Sequence, residues 1–330
     1  MSPETQRWLW TAVGILLVPG VFLGILPFYT WVERKVAAHI QFRPGPNRVG
    51  PYGLLQPLAD VIKLFFKEDV MAQEAHHAVY LLAPFIAFVP AFVSVAIVPV
   101  APNAIISDVN IGILLFLAMS SLSVYTVVLA GWSSNNKYSL LGGLRAAAQM
   151  ISYELGMGLA VVSVVLATGS LSTVAIVEAQ SKVWFALSQP IAFLIFLVTM
   201  LAECNRSPFD LAEAESEIVA GYHLEYSSMK FAIFYMAEYM NMMAIAGICT
   251  TLFLGGWHGP VPPFLPAALW GVLWFTLKWT FLCFFFVWVR WTWPRLRYDQ
   301  LMAFGWKVLL PIALANVMAT GLVRYLWMNR

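Results

Sequence analysis

Charge is scarce in this chain: Asp, Glu, Lys and Arg make up 11% of its 330 residues. Soluble globular domains carry about 25%, so a water-soluble enzyme of this size is excluded. Cysteine is scarcer still. Cys204, Cys249 and Cys283 share no short spacing, which leaves a disulfide framework, a zinc site and iron–sulfur ligation without support. None of the five histidines (His39, His76, His77, His223, His258) sits mid-way along an apolar stretch, so paired axial ligands for haem are missing. No phosphate loop or dinucleotide fingerprint occurs. The formal net charge of +2 is too small to argue for nucleic acid. Internal repeats and low-complexity tracts are also lacking, so one domain over 1–330 is expected.

What the chain has is apolar mass. Hydrophobic residues reach 61% and aromatics 15%, which excludes disorder. A helix crossing a hydrocarbon core needs roughly 20 apolar residues. Eight such stretches lie near 9–30, 78–98, 111–131, 152–170, 184–203, 232–255, 267–289 and 303–326. The expected fold is an all-α integral membrane protein with about eight transmembrane helices. The first stretch is not read as a cleaved signal peptide. Glu4 and Arg7 give no basic leader, and Glu33-Arg34-Lys35 follows where a small-residue cleavage site would stand.

Positive charge orients the spans. Segments 31–77, 132–151, 204–231 and 290–302 carry most of the Lys and Arg, and the connections 99–110, 171–183 and 256–266 are short and nearly chargeless. The charged segments are therefore expected in the cytoplasm, with both termini on the opposite side. A face this long and charged, opposite one so thin, is expected to dock other proteins.

The first cytoplasmic segment holds Gln41, Phe42 and Arg43, then Pro44, Gly45, Pro46, Asn47, Arg48, Val49, Gly50 and Pro51. Gly and Pro at this density specify fixed turns, which can present guanidinium groups at set positions. The plainer reading is a rigid lid whose cations snorkel to headgroups. A helix is expected over 57–67, with Leu58, Val61, Ile62 and Phe65 on one face and Asp60, Lys63 and Lys67 on the other. At about 17 Å it is too short to span and should lie in the interface. It is either a plain anchor or a functional helix.

After the fifth span, Ser207 is expected to cap a helix, with Pro208 in its first turn and Asp210 completing a capping box. On that helix Asp210, Glu213 and Glu217 would stack on one face, with Glu215 opposite and Glu225 beyond. Like charges one turn apart repel, and a partly buried set of this kind can take and give protons. The plainer reading is a solvated acidic face. Within the spans, Glu154, Glu203, Glu238 and Lys278 each cost energy in lipid and should face protein or water. With Tyr153, Tyr235 and Tyr239 beside them they suggest a proton relay, or else structural ion pairs.

Three segments carry a resemblance: Glu33-Arg34-Lys35 with 41–51, the run 202–217, and 293–301 from Trp293 and Pro294 to Leu301. Together with Met236-Ala237-Glu238-Tyr239 and the position of Lys278, they resemble the H-type, quinone-tunnel membrane subunit of NADH-quinone oxidoreductase, respiratory complex I, over essentially the whole chain. Cys204 stands where that family often has Thr or another small residue. The resemblance implies a membrane subunit without a redox centre of its own. NADH, FMN and iron–sulfur clusters belong to partner subunits of the peripheral arm, quinone is the substrate, and protons are pumped across a bacterial plasma membrane. It further implies that Arg34, Lys35, Gln41, Phe42, Arg43 and the 57–67 helix, with Asp60 and Lys63, border a quinone tunnel. Glu33, Glu154, Glu203, Asp210, Glu213, Glu215, Glu217, Glu225, Glu238 and Lys278 would form the proton path. Two rivals stand beside this reading. One is the membrane subunit of a complex-I-like hydrogenase, which gene neighbours would separate. The other is a secondary ion transporter, which usually shows repeats and broken midplane helices.

Overall fold

The computed structural model describes residues 3–102, 105, 109–212, 215–261 and 267–328. It is helical throughout, with no β-strand among the described residues. In order the helices are α1 (Pro3–Ile40), α2 (Gln56–Phe66), α3 (His77–Ala96), α4 (Gly112–Ser133), α5 (Lys137–Thr168), α6 (Thr173–Ala179), α7 (Phe185–Ser188), α8 (Pro190–Glu203), α9 (Glu215–Ile218), α10 (Ser228–Phe253), α11 (Ala267–Thr292), α12 (Tyr298–Phe304) and α13 (Leu310–Met328). A π-helical turn over Gly305–Leu309 joins the last two into one run. Among the described residues six helices are long and apolar enough to cross a membrane: α3, α4, α5, α10, α11 and the α12–α13 run.

α1 covers the first expected span and continues past Glu33-Arg34-Lys35. The expected span over 184–203 divides into α7 and the 14-residue α8. Pro190 is the reason, because a residue before proline is pushed out of the helical region, and Gln189 sits at φ −133°, ψ 60°. α5 starts about four turns before the expected 152. The Asn136 side chain caps it by accepting the Tyr138 amide at 2.9 Å, and the added turns carry Lys137 and Arg145, charges that read as loop in the sequence.

α10 lies at the centre. From Met242 to Phe253 every one of its side chains is buried, as expected for a helix apolar on all sides. Lipid offers no hydrophobic drive for helix association, so close contact relies on small residues. α4 and α5 meet at glycines: a Cβ on Gly143 would stand 2.8 Å from the Val127 carbonyl oxygen, and one on Gly131 would stand 2.6 Å from that of Ser139. Chain reversals place 41–76, 134–136, 204–212, 215–227 and 293–297 at one end of the bundle. The other end carries 97–102, 109–111, 169–189 and 254–261.

Candidate functional site

At the long-loop end, four elements bring charged groups into the protein interior. Glu33, near the end of α1, is buried. One of its oxygens accepts the Tyr239 hydroxyl at 2.6 Å. The other accepts Arg290 of α11 and lies 3.4 Å from Arg206. Arg206, in the turn after α8, also pairs through Nε with Glu238 of α10 at 2.6 Å. Its guanidinium lies 4.7 Å from the centre of the Tyr239 ring. Two carboxylates and two guanidinium groups thus form a charge-balanced network with Glu33 and Arg206 buried at its centre, the arrangement that offsets the cost of removing ions from water.

Glu203 ends α8 one helical turn before Arg206 and is served differently. Its Oε1 accepts Ser120 at 2.7 Å and Ser123 at 3.5 Å, and its buried Oε2 has no hydrogen-bond partner. No cation pairs with it among the described residues. Glu203 and Glu238 line one cavity of about 60 Å³ with Ser94, Thr126 and Asn241. That volume holds a few water molecules, and its walls supply polar partners for them. Glu154 of α5 accepts Ser121 and lines a separate recess of about 400 Å³ with Gly158 and Leu310. Ser120, Ser121 and Ser123, one short run on α4, therefore contact both Glu203 and Glu154. The sequence signal for this is three hydroxyls in four residues of an apolar span.

The expected capping box at Ser207 is not formed. Residues 206–212 make turns, and the Ser207–Pro208 peptide is cis. Gln149 of α5 ties this segment down, donating to the carbonyls of Ala202 at 2.8 Å and Phe209 at 2.7 Å. The stacked acidic face is corrected with it. Asp210 is buried and pairs with Arg295 at 2.8 Å, whereas Glu217 is half-exposed and pairs with Arg145 at 2.5 Å. Glu215 opens the four-residue α9, and Glu213 lies outside the described residues. Glu225 accepts Asn136 at 2.7 Å. Lys278 is not brought to the carboxylates; its partners are backbone carbonyls at the other end of α10.

The expected tunnel residues gather around the end of α1. Arg34 pairs with Asp60 of α2 at 2.5 Å. Lys35 donates to the Pro44 carbonyl at 3.2 Å, Arg43 to Gln41 at 2.9 Å, and the Arg43 amide to the Ala38 carbonyl at 2.8 Å. The 41–51 loop is thereby folded back on α1. Phe42 is 98% exposed, and Lys63, Leu58, Val61, Ile62 and Phe65 of α2 are exposed as well.

The family model for NADH dehydrogenase matches residues 12–321. The chain belongs to the family of H-type membrane subunits of NADH-quinone oxidoreductase. It is 51% identical over 335 residues to the H-type subunit of NADH-quinone oxidoreductase from Salinibacter ruber, covering 96% of this chain and 97% of that one. An H-type subunit of the same enzyme from Geobacter metallireducens is 50% identical over 317 residues (93% and 94%), and one from Syntrophobacter fumaroxidans 47% over 336 (97% and 99%). As a member of this family the chain is a multi-pass membrane component of complex I, and the other subunits of that complex are its partners.

Proposed function

We propose that this subunit lines the quinone tunnel of a proton-pumping NADH-quinone oxidoreductase and couples quinone reduction to proton movement. The observation that carries the reading is the buried chain Glu33–Arg206–Glu238, which ends in a hydratable cavity shared with Glu203. Charge of that amount inside a membrane protein marks a pathway. The tunnel wall is the end of α1, with Arg34 and Lys35, the 41–51 loop, with Gln41, Phe42 and Arg43, and α2, with Asp60 and Lys63. Electrons come from NADH through FMN and iron–sulfur clusters on peripheral subunits docked against the long-loop face. Neighbouring membrane-arm subunits continue the proton route from Glu203 and Glu154. The excess of Lys and Arg on the long-loop face supports a cytoplasmic position for it, with the termini on the periplasmic side of a bacterial plasma membrane.

Reduction of quinone near Glu33 takes up protons and alters local charge, and the ionic network passes the change to Glu238 and the cavity. Glu203→Gln in the assembled complex tests this, because it keeps shape and removes titration. Quinone-linked turnover and proton pumping should fall together, with NADH oxidation by a flavin-level artificial acceptor preserved. Normal pumping in the assembled variant removes Glu203 from the mechanism.

A further inference from the structure

At the short-loop end α10 runs out at Phe253, and its last carbonyls need partners. Lys278, near the middle of α11, supplies one. Its Nζ donates to the carbonyls of Leu254 at 2.6 Å, Gly256 at 3.0 Å and His258 at 2.6 Å. An ammonium has three N–H donors, so all are used. No carboxylate pairs with it among the described residues. The Trp184 ring covers it, with 4.4 Å from Nζ to the ring centre.

The carbonyl loop is shaped for this cation. Gly255 and Gly256 take φ of 71° and 49°, a backbone open to glycine, and the carbonyls of every second residue from 254 to 258 reach the ammonium. A Cβ on Gly255 would stand 2.7 Å from the Trp184 ring, and one on Gly256 would stand 2.7 Å from Val177. Gln180 grips the same end, donating to the Thr251 carbonyl at 2.8 Å and accepting the Gly255 amide at 3.0 Å. A fixed cation thus meets the negative pole of α10 in a low dielectric, where such contacts are strong.

Glu238 and Tyr239 lie on the same helix, about 24 Å from Leu254 along its axis. We propose that Lys278 is a positioning residue: its buried ammonium caps α10 inside the membrane and keeps Glu238 and Tyr239 in register with Arg206 and Glu33. The three acceptors are amide carbonyls, which hold the ammonium and neither take nor give a proton. The proposal rests on the reading that Glu238 works in coupling.

The test uses the assembled complex in native membranes, with Lys278→Ala, Lys278→Gln and Glu238→Gln. Lys278→Ala should lower kcat for quinone reduction about tenfold and leave the quinone KM and the flavin-level reaction unchanged. Methylammonium, an ammonium with N–H donors, should restore turnover, and tetramethylammonium, which has none, should not. Lys278→Gln, neutral but with two donors, should fall between. Wild-type turnover in either assembled Lys278 variant overturns the proposal. So does a loss in Lys278→Ala that both amines restore alike, or that neither restores. If Lys278→Ala fails to accumulate, growth with methylammonium should recover it, and no recovery also overturns the clamp. Normal turnover in Glu238→Gln removes the underlying reading instead, whereas an impaired Glu238→Gln beside a normal Lys278→Ala rejects the clamp alone.

Discussion

Glu203 and Arg206 stand one helical turn apart, yet Arg206 pairs with Glu33 and Glu238 and leaves Glu203 to two serine hydroxyls. Cation and carboxylate are neighbours in sequence and belong to different networks in space. Glu203 is thereby able to change protonation without breaking an ion pair.

The hydroxyls should matter for that reason. Removing both, in Ser120→Ala with Ser123→Ala, strips Glu203 of its hydrogen-bond donors. A hydrogen bond of this kind contributes about 0.5–1.5 kcal/mol. Quinone-linked turnover should fall several-fold with assembly retained. Membrane vesicles assayed for both electron transfer and pumping would show it, and unchanged rates would argue that the serines are only packing.

Arg206 is the least replaceable residue of the network. Arg206→Ala leaves Glu33 and Glu238 with less compensation in the interior, and breaking a buried pair costs about 3–5 kcal/mol. The complex should fail to accumulate. Arg206→Lys keeps charge but loses the planar fork that reaches both carboxylates, so it should assemble with reduced turnover. Native gels and activity in one set of membranes separate the two outcomes.

The tunnel reading has its own test. Arg43 is exposed and held by Gln41 at 2.9 Å, away from the buried network. Arg43→Ala should raise the KM for a short-chain quinone and leave the flavin-level reaction unchanged. A parallel fall in both activities with assembly intact would falsify the assignment.

Packing gives a prediction without chemistry. Gly143→Val inserts a branched side chain where a single Cβ would already stand 2.8 Å from a backbone oxygen of α4. Over-packing costs about 1–3 kcal/mol. The detergent-solubilised complex should melt at lower temperature, and a melting point equal to wild type would show that α4 and α5 can part without cost.

His258 gives a pH dependence. Burial first, and then the Lys278 ammonium, hold its imidazole below the ordinary value. A base with a lowered folded pKa is best accommodated neutral. Its contribution is full above the unfolded value of about 6.5 and is lost as pH falls below that toward the folded value. His258→Gln should flatten the pH dependence of thermal stability on the acid side of neutrality. An identical slope in variant and wild type would show that His258 titrates as it does in water.

The helices, α2 among them, and most of the charged groups are legible in the sequence, because apolar run length and in-span charge follow directly from the cost of burying polar groups in lipid. The pairing of those charges is not. Asp210 and Glu217 fit one helical face by spacing, but Gln149, about sixty positions before Phe209, binds the backbone there and fixes turns instead. Arg290 reads as an ordinary loop-side cation, and only its position against Glu33 reveals its part in the site. Nor can composition show that the partners of Lys278 are backbone carbonyls.

The closure of Glu33 also has a timetable. Its partners Arg206 and Arg290 follow it by 173 and 257 residues. At ribosomal speeds of about 5–20 residues per second, the second arrives on the order of 10–50 s after Glu33 is made. Throughout that interval Glu33, at the long-loop end of α1, lacks one or both of its cations. Water at that end of the bundle can solvate its carboxylate until α11 reaches it. A chain cut short before Arg290 would leave Glu33 with Arg206 as its one guanidinium partner, so a contact begun in the first helix is completed only by α11.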